Sequence, residues 1–279
     1  MATPYLSLAR ICADIALAAA VPILDIYEKH GEARIKSDGS PVTEADLLAD
    51  EMIRQNLQSS FPDIPVISEE SEVAVEQNLN RYFLVDPLDG TREFLSRTGE
   101  FTVNIALIEN GVAKMGAIFA PCHGQLFIGA EHAYECVNLD VGDKIDSRPL
   151  TQIAVRKSDA DRLVALGSLS HGEPDTEAFL LEQHPREIRK SGSSLKFCII
   201  AKGEADFYPR FSPTMGWDVA AGHAILRAAG GTLMNENGEL LNYAPYNLRN
   251  GPFLAVGDPV LGEKLKSQFM NFCQNRYRA

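Results

Sequence analysis

Metal-finger and disulfide signatures are missing from this 279-residue sequence, which has no C-x-x-C pair and no H-x-x-x-H spacing. Its five cysteines (Cys12, Cys122, Cys136, Cys198 and Cys273) are scattered and odd in number. That excludes a zinc ribbon and fits reduced thiols in a cytoplasm better than a secreted disulfide framework. Basic residues are also scarce. Lys plus Arg total 26 against 38 Asp plus Glu, a net charge of −12, so the basic footprint of a nucleic-acid binder is absent. Gly (21) and Pro (15) stand near average usage, which excludes collagen and low-complexity linkers. The most apolar early stretch, residues 11–24, carries Asp14 and is broken by Pro22. It is too short for a membrane span and lacks the preceding basic segment of a signal peptide, so a buried helix and no integral membrane segment are expected.

What is present is an ordinary globular balance, 45% hydrophobic and 23% charged. The length suits one large domain or two intimate halves. Leu8, Ile11, Cys12, Ile15 and Ala19 repeat with helical period, predicting a helix from Tyr5 to about His30. Residues 37–41 form a turn cluster, after which Thr43 opens a second helix with Leu47, Leu48, Met52, Ile53 and Leu57 as its apolar stripe. Strand-length runs follow at Val66-Ile67, Tyr82–Val85, Phe101–Ile108, Ala117–Phe119, Phe127-Ile128 and Ala133–Val137. Their hairpin-length gaps predict an antiparallel sheet. Near Arg148 the pattern changes. Strand-like Ile153–Val155, Ile199–Ala201 and Phe253–Val256 alternate with helical Glu177–Gln183, Asp218–Ala229 and Leu261–Cys273. The expectation is an α+β half over residues 1–148 and an α/β half over 149–279.

The chemistry gathers around Asp86-Pro87-Leu88-Asp89-Gly90-Thr91. A buried strand is expected to end at Asp86, because Pro87 has no N–H for the ladder. Gly90 permits a tight turn, and Thr91 suits the start of a helix. Two carboxylates then sit at a strand tip, before backbone N–H groups of Gly90 and Thr91 that can receive an anion. Such a pair repels itself unless a cation lies between. Hard divalent ions such as Mg²⁺ take this kind of oxygen site and invert the local field for a phosphate. Taken alone, the motif reads equally well as an Asx-turn and helix cap with solvated carboxylates. Glu69-Glu70, at the tip of another short strand, reads alone as a solvated pair. Asp218, opening an Ala-rich helix, reads alone as an N-cap. Only the set of four acids at element ends points to a metal cluster. Asp46 is the N3 acid of a capping box begun by Thr43.

Ser68-Glu69-Glu70-Ser71, Asp86-Pro87-Leu88-Asp89-Gly90-Thr91 and Trp217-Asp218-Val219-Ala220-Ala221-Gly222 together resemble the inositol-monophosphatase superfamily of lithium-sensitive, Mg²⁺-dependent phosphatases. They match in order and separation over nearly the whole chain. Lys190-Ser191-Gly192-Ser193-Ser194-Leu195-Lys196-Phe197-Cys198, Gly203–Phe211 and Pro213–Asp218 resemble its bacterial 3′(2′),5′-bisphosphate nucleotidase branch. Inositol phosphatases carry an acid where this chain has Arg210. Arg210 and Lys196 can instead meet a second phosphate, although each alone reads as a surface cation.

The resemblance implies a layered αβαβα sugar-phosphatase-like fold. It implies one Mg²⁺ on Glu69, Asp86 and the Leu88 carbonyl, a second on Asp86, Asp89 and Asp218, and a weaker third sharing Glu69. Thr91 and Glu69 would orient the attacking water, with Asp46 supporting the Thr91 hydroxyl. Glu69, Leu88, Asp89, Gly90, Thr91, Ser193, Lys196, Arg210 and Asp218 would contact the substrate. The implied reaction converts adenosine 3′,5′-bisphosphate to AMP and phosphate, a step linked to sulfate assimilation. The rivals are an inositol- or sugar-phosphate phosphatase and a non-catalytic nucleotide sensor. His223 is expected on a helix face outside the chemistry, and Trp217 as a core anchor. The implied partner is a small nucleotide, with loose inner-membrane association allowed by resemblance alone. Oligomeric state has no signal in the sequence.

Overall fold

The computed structural model describes residues 4–29, 33–35, 41–70, 79–140, 142–170, 172–244 and 247–277. Residues 37–40 of the expected turn cluster, and Ser71 of the acidic motif, lie outside them. Pro41, expected in that turn, instead begins a strand.

Helix α1 (Pro4–Glu28) is followed by the antiparallel pair β1 (Ala33–Ile35) and β2 (Pro41–Thr43), then by helix α2 (Glu44–Ser60). A seven-stranded sheet holds β3 (Val66–Ser68), β4 (Arg81–Asp89), β5 (Thr102–Glu109), β6 (Val112–Ala120), β7 (Gln125–Gly129), β8 (Ala133–Cys136) and β9 (Thr151–Ile153), in sequence order. All its neighbours are antiparallel except β3 and β4. The short helix α3 (Thr91–Leu95) connects β4 to β5.

The remaining chain builds a five-stranded mixed sheet. Its strands are β10 (Val164–Ser168), β11 (Glu187–Ser191), β12 (Phe207–Arg210), β14 (Thr232–Asn235) and β16 (Phe253–Val256), in the order β11-β10-β12-β16-β14. A small pair, β13 (Thr214–Met215) and β15 (Arg249–Asn250), lies beside it. Helices α4 (Pro174–Glu182), α5 (Leu195–Ala201), α6 (Gly216–Ala228) and α7 (Pro259–Tyr277) complete the described elements.

Side-chain alternation explains the layering. Along β4, Phe83 and Val85 join a core with α1 and α2, whereas Tyr82 and Leu84 join a core with α5 and α6. Both faces of the large sheet are therefore covered, which is why its strands read as unbroken apolar runs. A third core packs Ala165, Phe207, Leu254 and Val256 of the second sheet against Phe179, Leu265 and Phe269 of α4 and α7. The order helix pair, sheet, α5–α6, sheet, α4–α7 is the expected five-layer sandwich. Helix α1 is long and apolar enough to cross a membrane by length and composition. Here its Leu8, Cys12, Ile15, Ala19 and Ile23 are buried against the large sheet.

Three expectations change. Strand β4 does not end at Asp86 but continues to Asp89, with a register shift between those residues that accommodates Pro87. Ile199–Ala201 is not a strand but the last turn of α5. A short buried apolar run is the same for either element, and here Leu195 and Cys198 continue the burial with helical spacing. Finally, β9 completes the first sheet, so the change of sheet falls between Ile153 and Val164, past residue 148.

His223 lies on α6, as expected, on a face that is buried. It is 4% exposed, and its Nδ1 lies 2.9 Å from the Tyr243 hydroxyl. Burial, helped by the nearby Arg227, pushes its protonation down to about 4 from the ordinary 6.5. Between those values the unfolded chain binds the proton that the folded chain refuses. This contribution to stability is complete above pH 6.5 and is lost as pH falls towards 4. We expect wild type to lose about 3 kcal/mol more than His223→Gln across that window in urea unfolding. A difference between the two proteins that is independent of pH would contradict this.

Candidate active site

The parallel register of β3 on β4 sets Ser68 against Val85, and Glu69 N donates to Val85 O at 3.1 Å. Glu69 thereby leaves its strand beside Asp86. The bulge that follows turns Asp86 back on its own loop, and Leu88 N donates to Asp86 Oδ1 at 3.1 Å. Gly90 closes the turn at φ +93°, a conformation that an L side chain resists. The next residue places its hydroxyl between two chain segments: Thr91 Oγ1 lies 3.2 Å from Asp46 Oδ1 and 3.3 Å from Leu88 O. The other oxygen of Asp46 serves the capping box, accepting from Thr43 N at 2.7 Å and from Thr43 Oγ1 at 2.6 Å. Both contacts read for Asp46 are therefore present together. Helix α3 is only five residues long, so its dipole is much weaker than that of the full helix expected after Thr91.

Asp218 arrives from the far half of the chain. It is the third residue of α6 rather than its N-cap, and its Oδ2 accepts from Met215 N at 2.9 Å. Asp89 is held by three donors on one oxygen: Ser194 N and Ser194 Oγ, each at 2.6 Å from Oδ2, and Asn104 Nδ2 at 3.3 Å.

The four acids act on one another. Burial raises the Asp86 carboxyl well above the usual range, and Glu69, Asp89, Asp218 and Asp46 push it in the same direction. Asp218 is raised to about 8, first by burial and then by Asp89. Burial also raises Asp89, against the opposing donors from Ser194 and Asn104 and the charge of Lys196. Among the described residues, no three acidic, histidine or cysteine side chains already stand as a metal-ligand set. Asp86, Asp89 and Asp218 each have one oxygen turned to protein donors. The donor set still fits a hard divalent cation: every group is an oxygen, and the strongest charges on buried Asp86 are all negative. Such a cation offsets the repulsion that packing these side chains creates.

Glu69, Asp89, Gly90, Thr91, Ser193, Lys196, Arg210 and Asp218 line one cavity of about 240 Å³. Asp86 and Leu88 lie beneath it, 2% and 1% exposed. Ser193 takes up a left-handed backbone at φ +45°. Neither expected phosphate-binding cation is a surface residue. Lys196 is 4% exposed, donates to the carbonyls of Ser191 (3.0 Å) and Ser193 (2.7 Å), and is lowered to about 8 by burial. Its ammonium is thus committed to the turn that carries Ser193, which weakens the case for it as a direct phosphate ligand. The Arg210 side chain is 15% exposed, and its Nε lies 3.5 Å from Glu173 Oε1. That contact is an ion pair without hydrogen-bond geometry, and among the described residues the buried Nε makes no hydrogen bond.

The sequence assigns no role to Asn104, Ser194 or Glu173, nor to Tyr208, which is 2% exposed and lines the cavity beside Arg210. Asn104 sits in β5 between Val103 and the apolar run Ile105–Ile108, and a buried amide there was the available signal. Trp217 packs half-buried against the middle core and does not line the cavity.

The model of the inositol monophosphatase family matches residues 7–271. The 3′(2′),5′-bisphosphate nucleotidase CysQ of Salmonella typhimurium is 42% identical over 242 residues, 85% of this chain and 94% of that protein. The crystal structure of CysQ from Bacteroides thetaiotaomicron, a bacterial member of that family, superposes with a TM-score of 0.77 at 37% identity. It covers 91% of this chain and 98% of its own. An inositol monophosphatase from Anabaena (Nostoc) sp. PCC 7120 shares the fold, with a TM-score of 0.74 at 23% identity over 98% of this chain and 97% of that one.

Proposed function

Because the chain belongs to the inositol monophosphatase family, we propose that it is a Mg²⁺-dependent 3′(2′),5′-bisphosphate nucleotidase that converts adenosine 3′,5′-bisphosphate to AMP and phosphate. The observation that carries this reading is the convergence of acids from three distant segments around a cavity that also presents Arg210. The similarity to nucleotidases at 42% identity supports the substrate class. Inhibition by lithium and a role in sulfate assimilation belong to the same proposal.

Glu69, Asp86, the Leu88 carbonyl, Asp89 and Asp218 would hold two or three Mg²⁺ ions, which when bound supply a water of lowered pKa and positive charge for the phosphoryl oxygens. Thr91 directs its proton toward Asp46 or Leu88 O. Its lone pairs are left to accept from the attacking water and fix its approach. Glu69 faces the same water from the tip of β3. Gly90 and Thr91 supply backbone N–H groups to the transferring group. Residues 1–148 thus provide most of the acids. Residues 149–279 add Asp218 and the substrate-facing Ser193 and Arg210, with Lys196 holding the turn that carries Ser193. Arg210, oriented by Glu173, receives the phosphate that is not cleaved.

The test compares phosphate release from adenosine 3′,5′-bisphosphate, 3′-AMP and inositol 1-phosphate in Mg²⁺. Arg210→Gln is expected to lower kcat/KM for the bisphosphate about 10–100-fold, the worth of a charge-assisted hydrogen bond or two, and to affect 3′-AMP much less. Equal losses on both substrates, or faster wild-type turnover of inositol 1-phosphate, would overturn the substrate assignment. Binding of the bisphosphate without phosphate release would favour a sensor.

A further inference from the structure

We propose that Ser194 is a positioning residue, holding Asp89 in the orientation that receives the divalent cation and tying it to the start of α6. The proposal rests on the metal-dependent reading above. Two donors from one residue meet on a single carboxylate oxygen, since Ser194 N and Oγ each lie 2.6 Å from Asp89 Oδ2. The hydroxyl is also 2.8 Å from Asn104 Nδ2 and 2.7 Å from the carbonyl of Asp218. A hydroxyl has one proton and two lone pairs. Accepting from Asn104, it donates either to Asp89 or to Asp218 O. The amide of Ser194 keeps Oδ2 in place in both states. All three hydrogen bonds on Asp89 fall on Oδ2, so Oδ1 is the oxygen left to the cavity.

The support itself is fixed. Ser194 is 1% exposed. The turn that carries it is clamped by Glu100, whose Oε2 accepts from Ser191 Oγ at 2.9 Å and from Gly192 N at 2.5 Å. Lys196 Nζ closes the same turn from within, on Ser191 O and Ser193 O. One residue therefore joins β4, β5, α5 and α6 at the point where the acids from the two halves meet. A carboxylate fixed in advance gives up less freedom when it takes a cation, and removing such support characteristically costs about 10–100-fold in metal affinity.

The test titrates Mn²⁺, an oxygen-seeking cation visible by electron paramagnetic resonance, into metal-free wild type, Ser194→Ala, Ser194→Thr, Asn104→Ala and Asp89→Asn. Ser194→Ala keeps the amide and loses the hydroxyl. Its Mn²⁺ affinity is expected to fall about tenfold, with the Mg²⁺ concentration for half-maximal activity rising in parallel. Ser194→Thr, which retains the hydroxyl, is expected to restore most of the loss. Should Ser194→Ala fail to fold, Asn104→Ala carries the test, with a smaller fall in the same direction. Wild-type affinity in Ser194→Ala or Asn104→Ala, alongside a weakened Asp89→Asn, overturns the role of Ser194 and leaves the metal-dependent reading standing. Absence of Mn²⁺ binding by wild type overturns both.

Discussion

Asp86→Asn is expected to reduce phosphate release more than 100-fold while making the metal-free protein harder to unfold. The carboxylate is 2% exposed, and its strongest charged neighbours, Glu69, Asp89, Asp218 and Asp46, all share its sign. Asparagine keeps the oxygen that accepts from Leu88 N and removes the buried charge. Metal-free Asp86→Asn is expected to unfold at a higher urea concentration than wild type in EDTA at pH 8, where the buried charge weighs most on the folded state. The activity loss has the opposite cause. A neutral amide is a poor ligand for a hard cation, and direct ligands matter more than the supporting groups whose loss costs about 10–100-fold. Opposite signs for stability and activity mark a site held under strain for function. If the two fell together, Asp86 would be a structural residue.

Gly116→Val is expected to lower both. A Cβ at Gly116 on β6 would lie 2.3 Å from the carbonyl oxygen of Ala221 and 2.9 Å from its Cα, so α6 rests directly on the sheet backbone. Gly129 on β7 provides the second seat, with Ile225 Cα 2.4 Å from the equivalent point. Neither neighbour can rotate away, because both are backbone atoms. Overpacking of a core costs about 1–3 kcal/mol when side chains can yield, and valine here must move a whole helix. We expect a loss above about 3 kcal/mol in urea unfolding. The same displacement carries Asp218 away from Asp86 and Asp89, so the folded fraction that remains is expected to hydrolyse substrate poorly. A fully active, equally stable Gly116→Val would show that α6 is not seated as described.

The four acids drew notice in the sequence because turn and break residues stand near three of them: Pro87 follows Asp86, Gly90 follows Asp89 and Gly216 stands two residues before Asp218, whereas Glu69 follows the short strand β3. The first sheet was legible for a related reason, since its strands are covered on both faces and read as apolar runs. The second sheet was largely missed. Its β11 (Glu187–Ser191) is mostly exposed or half-buried and carries Glu187, Arg189 and Lys190, so the apolar signal is absent. The last turn of α5 reads as a strand because a seven-residue helix with six buried residues is too short to show a clear period. The surroundings of Lys196 and Arg210 depend on which carbonyl or carboxylate the fold brings against each cation, a long-range outcome with no local pattern. Ser194 is likewise unremarkable in a Ser-Gly-Ser-Ser run until Asp89 and Asn104 are folded against it.

Crystals grown with Mn²⁺ offer the most direct measurement, through the anomalous scattering of the ion. The account predicts density enclosed by oxygens of Glu69, Asp86, Asp89 and Asp218, with Leu88 O within reach of it. Mn²⁺ bound elsewhere on the chain, with these four carboxylates unmoved and unliganded, would contradict it.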